Sequence, residues 1–398
     1  MNIFWLCACQ TITPKQIKSN SYVIFIPGYY GSFLKTEDSQ ERVWLTLGRA
    51  LWGDQTLALN LNDIQVPGYK KMQTDGVFDE VSIIPGIYSQ NVYGKAMQGL
   101  QRQLKDQAKV INFAYDWRKD IVSSAQKLHE LVERLYSDGA KNVSIVAHSM
   151  GGLVASYYLI YGEQKLESAI ANFSGADKIK KTVIVGTPYK GTMHVFRNMQ
   201  FGISAGLNDE ALKAHAISSF PSSYTLLPYY EKALLNKSKQ DHSKLIFNPE
   251  IWNKHGWGLL SNQQELSKKV VENRKIFTKN MLNQAQKFNK AIHNYNFKSQ
   301  APTKLLFYIG KKNKMINQAI VTPDYRLLFP NKNLNEEEYQ ISSLLLEGDN
   351  TVTYQSAQPP EAFYKSFSSL KIEERSHEHL ELINDEQNLK EISEFLTN

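Results

Sequence analysis

The stretch Val143-Ser144-Ile145-Val146-Ala147-His148-Ser149-Met150-Gly151-Gly152-Leu153 constrains the fold of this chain more than any other. Residues of strand character run into His-Ser-Met-Gly-Gly, and a helical stretch, Leu153 to Leu159, follows at once. Strand, sharp turn and helix with a serine at the turn is the arrangement of a nucleophile elbow. It holds the serine in a strained backbone conformation with its hydroxyl exposed above the sheet. The residues two before and two after the serine must be small, or strand and helix cannot approach. Here they are Ala147 and Gly151. The alternative is an ordinary strand-to-helix turn that happens to carry a serine; the pattern on both sides argues against it.

The rest of the chain alternates strand and helix around that turn. Tyr22 to Ile26 is a continuous apolar run, as a buried parallel strand requires, and Pro27-Gly28 ends it. Residues 93 to 107 place Tyr93, Ala96, Met97, Leu100 and Leu104 on one helical face. A strand from Val110 to Tyr115 and a helix over 120–137 come next, then the elbow, then a strand at Lys181–Val185 that runs into Gly186-Thr187-Pro188. This order predicts a doubly wound, mostly parallel sheet with right-handed crossovers.

The alternation breaks between 193 and 302. Leu266, Val270, Phe277, Met281, Phe288 and Ile292 recur at steps of 4, 7, 4, 7 and 4, one stripe of a long helix with lysines on its other faces. The apolar run Phe220 to Tyr230 is read as loop. The chain therefore divides into an N-terminal segment 1–20, a first core part 21–192, an inserted helical cap 193–302 and a second core part 303–398. The stripe is expected to pack within the cap. The loop aromatics, Tyr229 and Tyr230 among them, are expected to meet a lipid surface.

A serine nucleophile needs a base, and the base an orienting acid. In this fold class both follow the serine, the acid first. Leu344 to Val352 reads as a strand ending in a tight acidic loop. Asp349 stands where the strand gives out, and Asn350 is a residue that tolerates positive φ. Near the end, His377 and His379 follow a strand-like run, and a helix over about 385–397 closes the chain. Either histidine can reach the serine. His379 is preferred because it directly precedes the anchoring Leu380, Leu382 and Ile383. His148 is excluded as base on the expectation that its side chain points away from the nucleophile. The other six histidines are read as structural or solvated.

Composition excludes several classes. A net charge of +7 over 398 residues comes from scattered lysines, with no nucleic-acid motif and no repeat. Both cysteines, Cys7 and Cys9, lie in the first ten residues, so the body of the chain has no disulfide, thiol nucleophile or cysteine metal site. No metal or cofactor is expected. The apolar start is too short to span a bilayer and lacks the basic residues that open a signal peptide. Leu6-Cys7-Ala8-Cys9 is similar to a bacterial lipobox, which would make Cys9 a lipidation site and the protein extracytoplasmic or membrane-associated; a frayed apolar terminus is the alternative.

With these residues in place, the chain resembles the lecithin:cholesterol acyltransferase family of α/β-hydrolases, which includes lysosomal phospholipase A2 and phospholipid:diacylglycerol acyltransferase. Ile26-Pro27-Gly28-Tyr29-Tyr30-Gly31-Ser32 looks like its oxyanion loop, and Phe113-Ala114-Tyr115-Asp116-Trp117-Arg118 like its signature loop before the elbow. Gly186-Thr187-Pro188 with Gly191-Thr192, Gly348-Asp349-Asn350-Thr351-Val352, and His379 with Leu382 and Ile383 follow as in the family. Asn350 stands where the family usually has glycine. The disulfide-held lid of the animal members has no cysteine here to form it.

The resemblance implies an α/β-hydrolase fold and an acyl-enzyme mechanism. Ser149 would attack an ester carbonyl, His379 take its proton, and Asp349 hold the imidazole. The N–H groups of Tyr29 and Met150 would bind the oxyanion, and Trp117 and Tyr30 would line the acyl pocket. The substrate is expected to be an ester lipid, phospholipid first, presented at a membrane or micelle surface; hydrolysis and O-acyl transfer use the same residues. A general lipase or carboxylesterase without phospholipid preference is the alternative enzyme, and a silent lipid-binding protein on a hydrolase scaffold the alternative of another class.

Overall fold

A computed structural model of the chain describes residues 20–44, 56–61, 69–84, 88–203, 212–330, 332–334 and 340–398. Cys7, Cys9 and the lipobox-like start lie outside the described residues. Six strands form the central sheet: β1 Ser21–Ile26, β2 Lys109–Asn112, β3 Asn142–His148, β4 Lys181–Val185, β5 Ala301–Gly310 and β6 Phe367–Arg375. Their order across the sheet is β6-β5-β4-β3-β1-β2, and every neighbouring pair is parallel. The inner strands are apolar on both faces because both faces are covered. Ile24, Ile145 and Ile184 pack into one buried layer; Val23, Phe25, Val146 and Val183 pack into the other.

Helices α1 Gly94–Leu104, α2 Ile121–Ser137 and α3 Met150–Tyr161 follow the early strands. α1 packs with the final helix, Glu386–Thr397, over one face; α2 and α3 pack over the other. Asp120 caps α2, its carboxylate accepting the Ser123 N–H at 2.8 Å. Every residue of α3 is buried, which is why its sequence is apolar all round rather than striped. Register aligns Ile26 with Ala147 and His148 with Val185, so the carboxyl ends of β1, β3 and β4 share one rim. In open parallel sheets ligands bind at that rim.

Between β4 and β5 the described residues are mainly helical. They include α4 Met193–Phe201 and α5 Lys268–His293, the latter burying Phe288 and Ile292 of the sequence stripe, with Leu282 beside them and Phe277 and Met281 half-buried. The insertion does not end cleanly at 302. Its two-residue strand Leu234–Leu235 pairs with Ala319–Val321, beyond β5, which pairs in turn with Leu327–Leu328. Strand Leu345–Gly348, which leads to Asp349, joins no central strand; it pairs antiparallel with Asn313–Ile316. A three-stranded antiparallel sheet, Ser32–Thr36 with Arg42–Trp44 and Met72–Val77, also flanks the rim; the sequence reading did not foresee it.

The aromatic run 220–230 corrects an expectation. It is not an exposed loop. Pro221–Thr225 is a short helix, and Phe220, Tyr224 and Leu227 are fully buried. Tyr229 stacks on His293 and meets Phe247 edge-on, and the Tyr230 hydroxyl donates to the Asn317 carbonyl. Both tyrosines are half-buried: Tyr229 packs within the cap, and Tyr230 ties the cap to the segment after β5. Among the described residues no helix is long and apolar enough to cross a membrane.

Candidate active site

Ser149 sits between β3 and α3 at φ 54°, ψ −128°, the strained left-handed geometry of an elbow. Its neighbours must be small. A Cβ on Gly151 would lie 2.5 Å from the Pro27 carbonyl oxygen and 2.6 Å from that of Ile26. One on Gly152 would collide with the Thr187 side chain, whose hydroxyl donates to the Ser149 carbonyl at 2.9 Å. A Cβ on Gly28 would come within 2.7 Å of the Ser149 Cβ. The loop after β1 therefore presses against the serine. Met150 is the first residue of α3, so its N–H has no intrahelical acceptor.

Asp349 is 1% exposed. Its Oδ1 accepts the N–H groups of Thr351 (2.9 Å) and Val352 (2.7 Å), and its Oδ2 lies 2.7 Å from His379 Nδ1. The His379 N–H also donates to the Asp349 carbonyl at 2.9 Å. Asn350 takes φ 72°, as the tight acidic loop demanded. Two of these hydrogen bonds join Asp349 to His379, and the other two fix the carboxylate within its own loop. His377 is not in this arrangement: its Nε2 lies 3.6 Å from Asp385 Oδ2.

Ser149 and His379 line one cavity of about 390 Å³, together with Tyr29, Tyr30, Trp44 and Phe78 on one side and Thr192, His194, Asn198 and Thr351 on another. A larger cleft of about 550 Å³, lined by Lys181, Lys304, Arg375 and Glu391 among others, lacks any serine, threonine, cysteine or histidine and so has no nucleophile–base pair.

Two expectations are corrected. Trp117 does not line the cavity. It is fully buried beneath it, its ring edge-on to Tyr29 and Tyr30 and its indole N–H donating to the Ser32 carbonyl at 3.0 Å. A buried indole needs an acceptor, and that acceptor lies on the strand after the loop. Trp117 thereby supports the tyrosines that do line the wall. Its neighbour Arg118 forms a bidentate pair with Asp116 at 2.9 and 2.8 Å and holds the Leu57 carbonyl. Burial raises the Asp116 pKa, but Arg118 outweighs it and holds the carboxyl below its usual value. The Tyr-Asp-Trp-Arg loop is thus an anchor behind the cavity, with none of its four residues in the lining.

His148 does not point away. Its ring centroid lies 4.5 Å from that of His379. The donors along this path are forced. Gly28 N–H donates to the Tyr93 hydroxyl oxygen (2.9 Å), the hydroxyl donates to His148 Nδ1 (2.8 Å), and His148 Nε2–H donates to the His379 carbonyl (2.9 Å). Burial first, then the neighbouring His379, push the His148 pKa well below the usual histidine value, as a neutral ring in this relay requires. With both nitrogens engaged it is no base. It ties the loop carrying Tyr29 to the loop carrying His379.

Residues 78–386 match the lecithin:cholesterol acyltransferase family. The chain belongs to that family. The match spans most of the chain, and the parallel central sheet with helices on both faces is that of an α/β-hydrolase fold. An uncharacterized protein of Saccharomyces cerevisiae, YJR098C, is 24% identical over 247 residues, 61% of this chain and 34% of its own length. The chain thus spans about a third of that curated relative. Among solved structures, the Tle4–Tli4 complex matches with TM-score 0.56 at 14% identity, covering 96% of this chain and 98% of that one, a likeness of fold. EstA from Clostridium botulinum aligns with 95% of this chain and 87% of its own at 12% identity and TM-score 0.41.

Sequence reasoning missed Trp44, Phe78, His194 and Asn198. The first two sit on or beside the unforeseen antiparallel sheet. His194 and Asn198 are four apart on α4, a helical spacing just after Gly191-Thr192 that could have marked them.

Proposed function

We propose that this protein cleaves ester lipids, phospholipid first, through an acyl-enzyme on Ser149, passing the acyl group to water or to an alcohol. The observation that carries this is the Asp349–His379 pair opening on the same cavity as a serine held at positive φ. Ser149 Oγ attacks the ester carbonyl while His379 Nε2 takes its proton. Asp349 keeps Nδ1 protonated and stabilises the imidazolium. The Tyr29 and Met150 N–H groups face the developing oxyanion from the loop pressed on the serine and from the start of α3. His379 then protonates the leaving alcohol, and water or a second alcohol enters by the reverse path. Tyr30, Trp44 and Phe78 offer an apolar wall to the acyl chain. The family's name, which joins lecithin to cholesterol, supports a phospholipid donor.

The test is to incubate the protein with labelled phospholipid, with and without a sterol or glyceride acceptor, and to chromatograph the lipid products. Wild type should release labelled acid or acylated acceptor and react with a fluorophosphonate probe; Ser149→Ala should do neither, a loss of about 10⁴- to 10⁶-fold. Turnover of Ser149→Ala within tenfold of wild type would refute the assignment. Turnover of short esters with none of phospholipid would favour a general carboxylesterase.

A further inference from the structure

The cavity has two unlike walls, and the second has no role in the chemistry above. His194 and Asn198 project from α4 into it, one helical turn apart, beside Thr192 and Thr351. This wall adjoins the base. Thr351 follows Asp349 by two residues, and the Thr192 hydroxyl donates to the Thr351 carbonyl at 2.8 Å. The aromatic wall instead belongs to the oxyanion loop and the antiparallel sheet. The group next to His379 in any acyl transfer is the alcohol, leaving or entering, because its oxygen must exchange a proton with the imidazole. The acyl chain lies on the other side.

The chemistry of the wall is specific. Burial first, then Arg197, push the His194 pKa down to about 4, so the ring is neutral at physiological pH and offers one donor and one acceptor. Among the described residues its nitrogens have no hydrogen-bond partner. The Asn198 carbonyl oxygen is taken by Arg197 at 3.4 and 3.3 Å, which leaves its NH₂ to donate. Among the described lining residues there is no lysine, arginine, aspartate or glutamate. The nearest cation, Arg197, is held on the Asn198 carbonyl oxygen, and a hydroxyl entering the wall would find both a donor and an acceptor.

We propose that His194 and Asn198 form a subsite for a hydroxyl-bearing alcohol moiety of the glycerol type. This rests on Ser149, His379 and Asp349 acting as proposed above. The readout is the ratio of kcat/KM for monooctanoylglycerol to that for methyl octanoate, two soluble esters of one acid that differ in the alcohol's free hydroxyls. His194→Phe and Asn198→Leu should each lower the ratio about five- to tenfold, one hydrogen bond's worth. His194→Gln, which keeps a neutral donor and acceptor, should stay within twofold of wild type. If His194→Phe does not fold, Asn198→Leu on the next turn carries the comparison. A ratio within twofold of wild type in both apolar variants, or a fall that His194→Gln shares, would overturn the proposal. Methyl octanoate turnover that survives Ser149→Ala would instead overturn the reading beneath it.

Discussion

Tyr93→Phe isolates the relay between the two halves of the active site. The change removes one oxygen and leaves the ring, which packs edge-on against Phe25 and His148, in place. Two buried groups lose their partner: the Gly28 N–H at 2.9 Å and His148 Nδ1 at 2.8 Å. An unsatisfied buried polar group costs about 1–3 kcal/mol, so the two together cost about 2–6 kcal/mol. Tyr93 borders the cavity, so water can reach one of them, and the expected loss is about 2–4 kcal/mol. The functional effect has another origin. Gly28 precedes the proposed oxyanion donor, and His148 holds the carbonyl of His379, so both loops lose their common strut. Misplacement by about 1 Å costs up to 10²-fold, so kcat should fall about 10- to 100-fold with KM little changed. Denaturant titration and steady-state kinetics on a soluble ester measure both. Tyr136→Phe is the control: from α2, away from the site, its hydroxyl donates to the Lys178 carbonyl, and the change should lower stability while leaving kcat alone. Tyr93→Phe with stability within about 0.5 kcal/mol and kcat within about twofold of wild type would refute the relay.

Three further outcomes follow from the same geometry. Asp349→Asn should cut kcat about 10⁴-fold, because an amide facing Nδ1 selects the wrong tautomer, whereas His377→Ala should stay within a few-fold; the reverse order in ester kinetics would reassign the base. Gly152→Ala should abolish activity and lower the melting temperature, because the new methyl collides with Thr187 behind the elbow; calorimetry of the purified variant checks it. Stability should fall as pH drops from 6.5 toward 4. His148 and His194 are held neutral in the fold, so the unfolded chain binds more protons below its ordinary histidine pKa. That gives a positive slope of stability against pH, up to about 1.4 kcal/mol per unit for each such histidine. For His194 the loss is complete at about 4. Denaturation midpoints at pH 7, 6, 5 and 4 measure it, and a flat profile would contradict the burial of both rings.

Local pattern alone revealed the elbow, the parallel strands and the acidic loop. Each is a short-range demand: small residues where strand meets helix, apolar runs where both faces are covered, and a residue that accepts φ 72° beside Asp349. The long stripe of α5 was legible because its period matches the helix. Tertiary structure decided what depends on residues remote in the chain. Tyr93, His148 and His379 are 55 and 231 residues apart along the chain, yet they make one relay. Their types carry no local signature, since a tyrosine on a helix face and a histidine beside a serine look like ordinary packing. Trp117 and the 220–230 aromatics show the same limit. A large apolar ring is equally suited to a pocket wall or to the layer beneath it, and only the position of its hydrogen-bond acceptor separates the two. His379 and His377 lie two residues apart in the sequence. What set them apart was a carboxylate brought to 2.7 Å from one of them by a ribbon outside the central sheet.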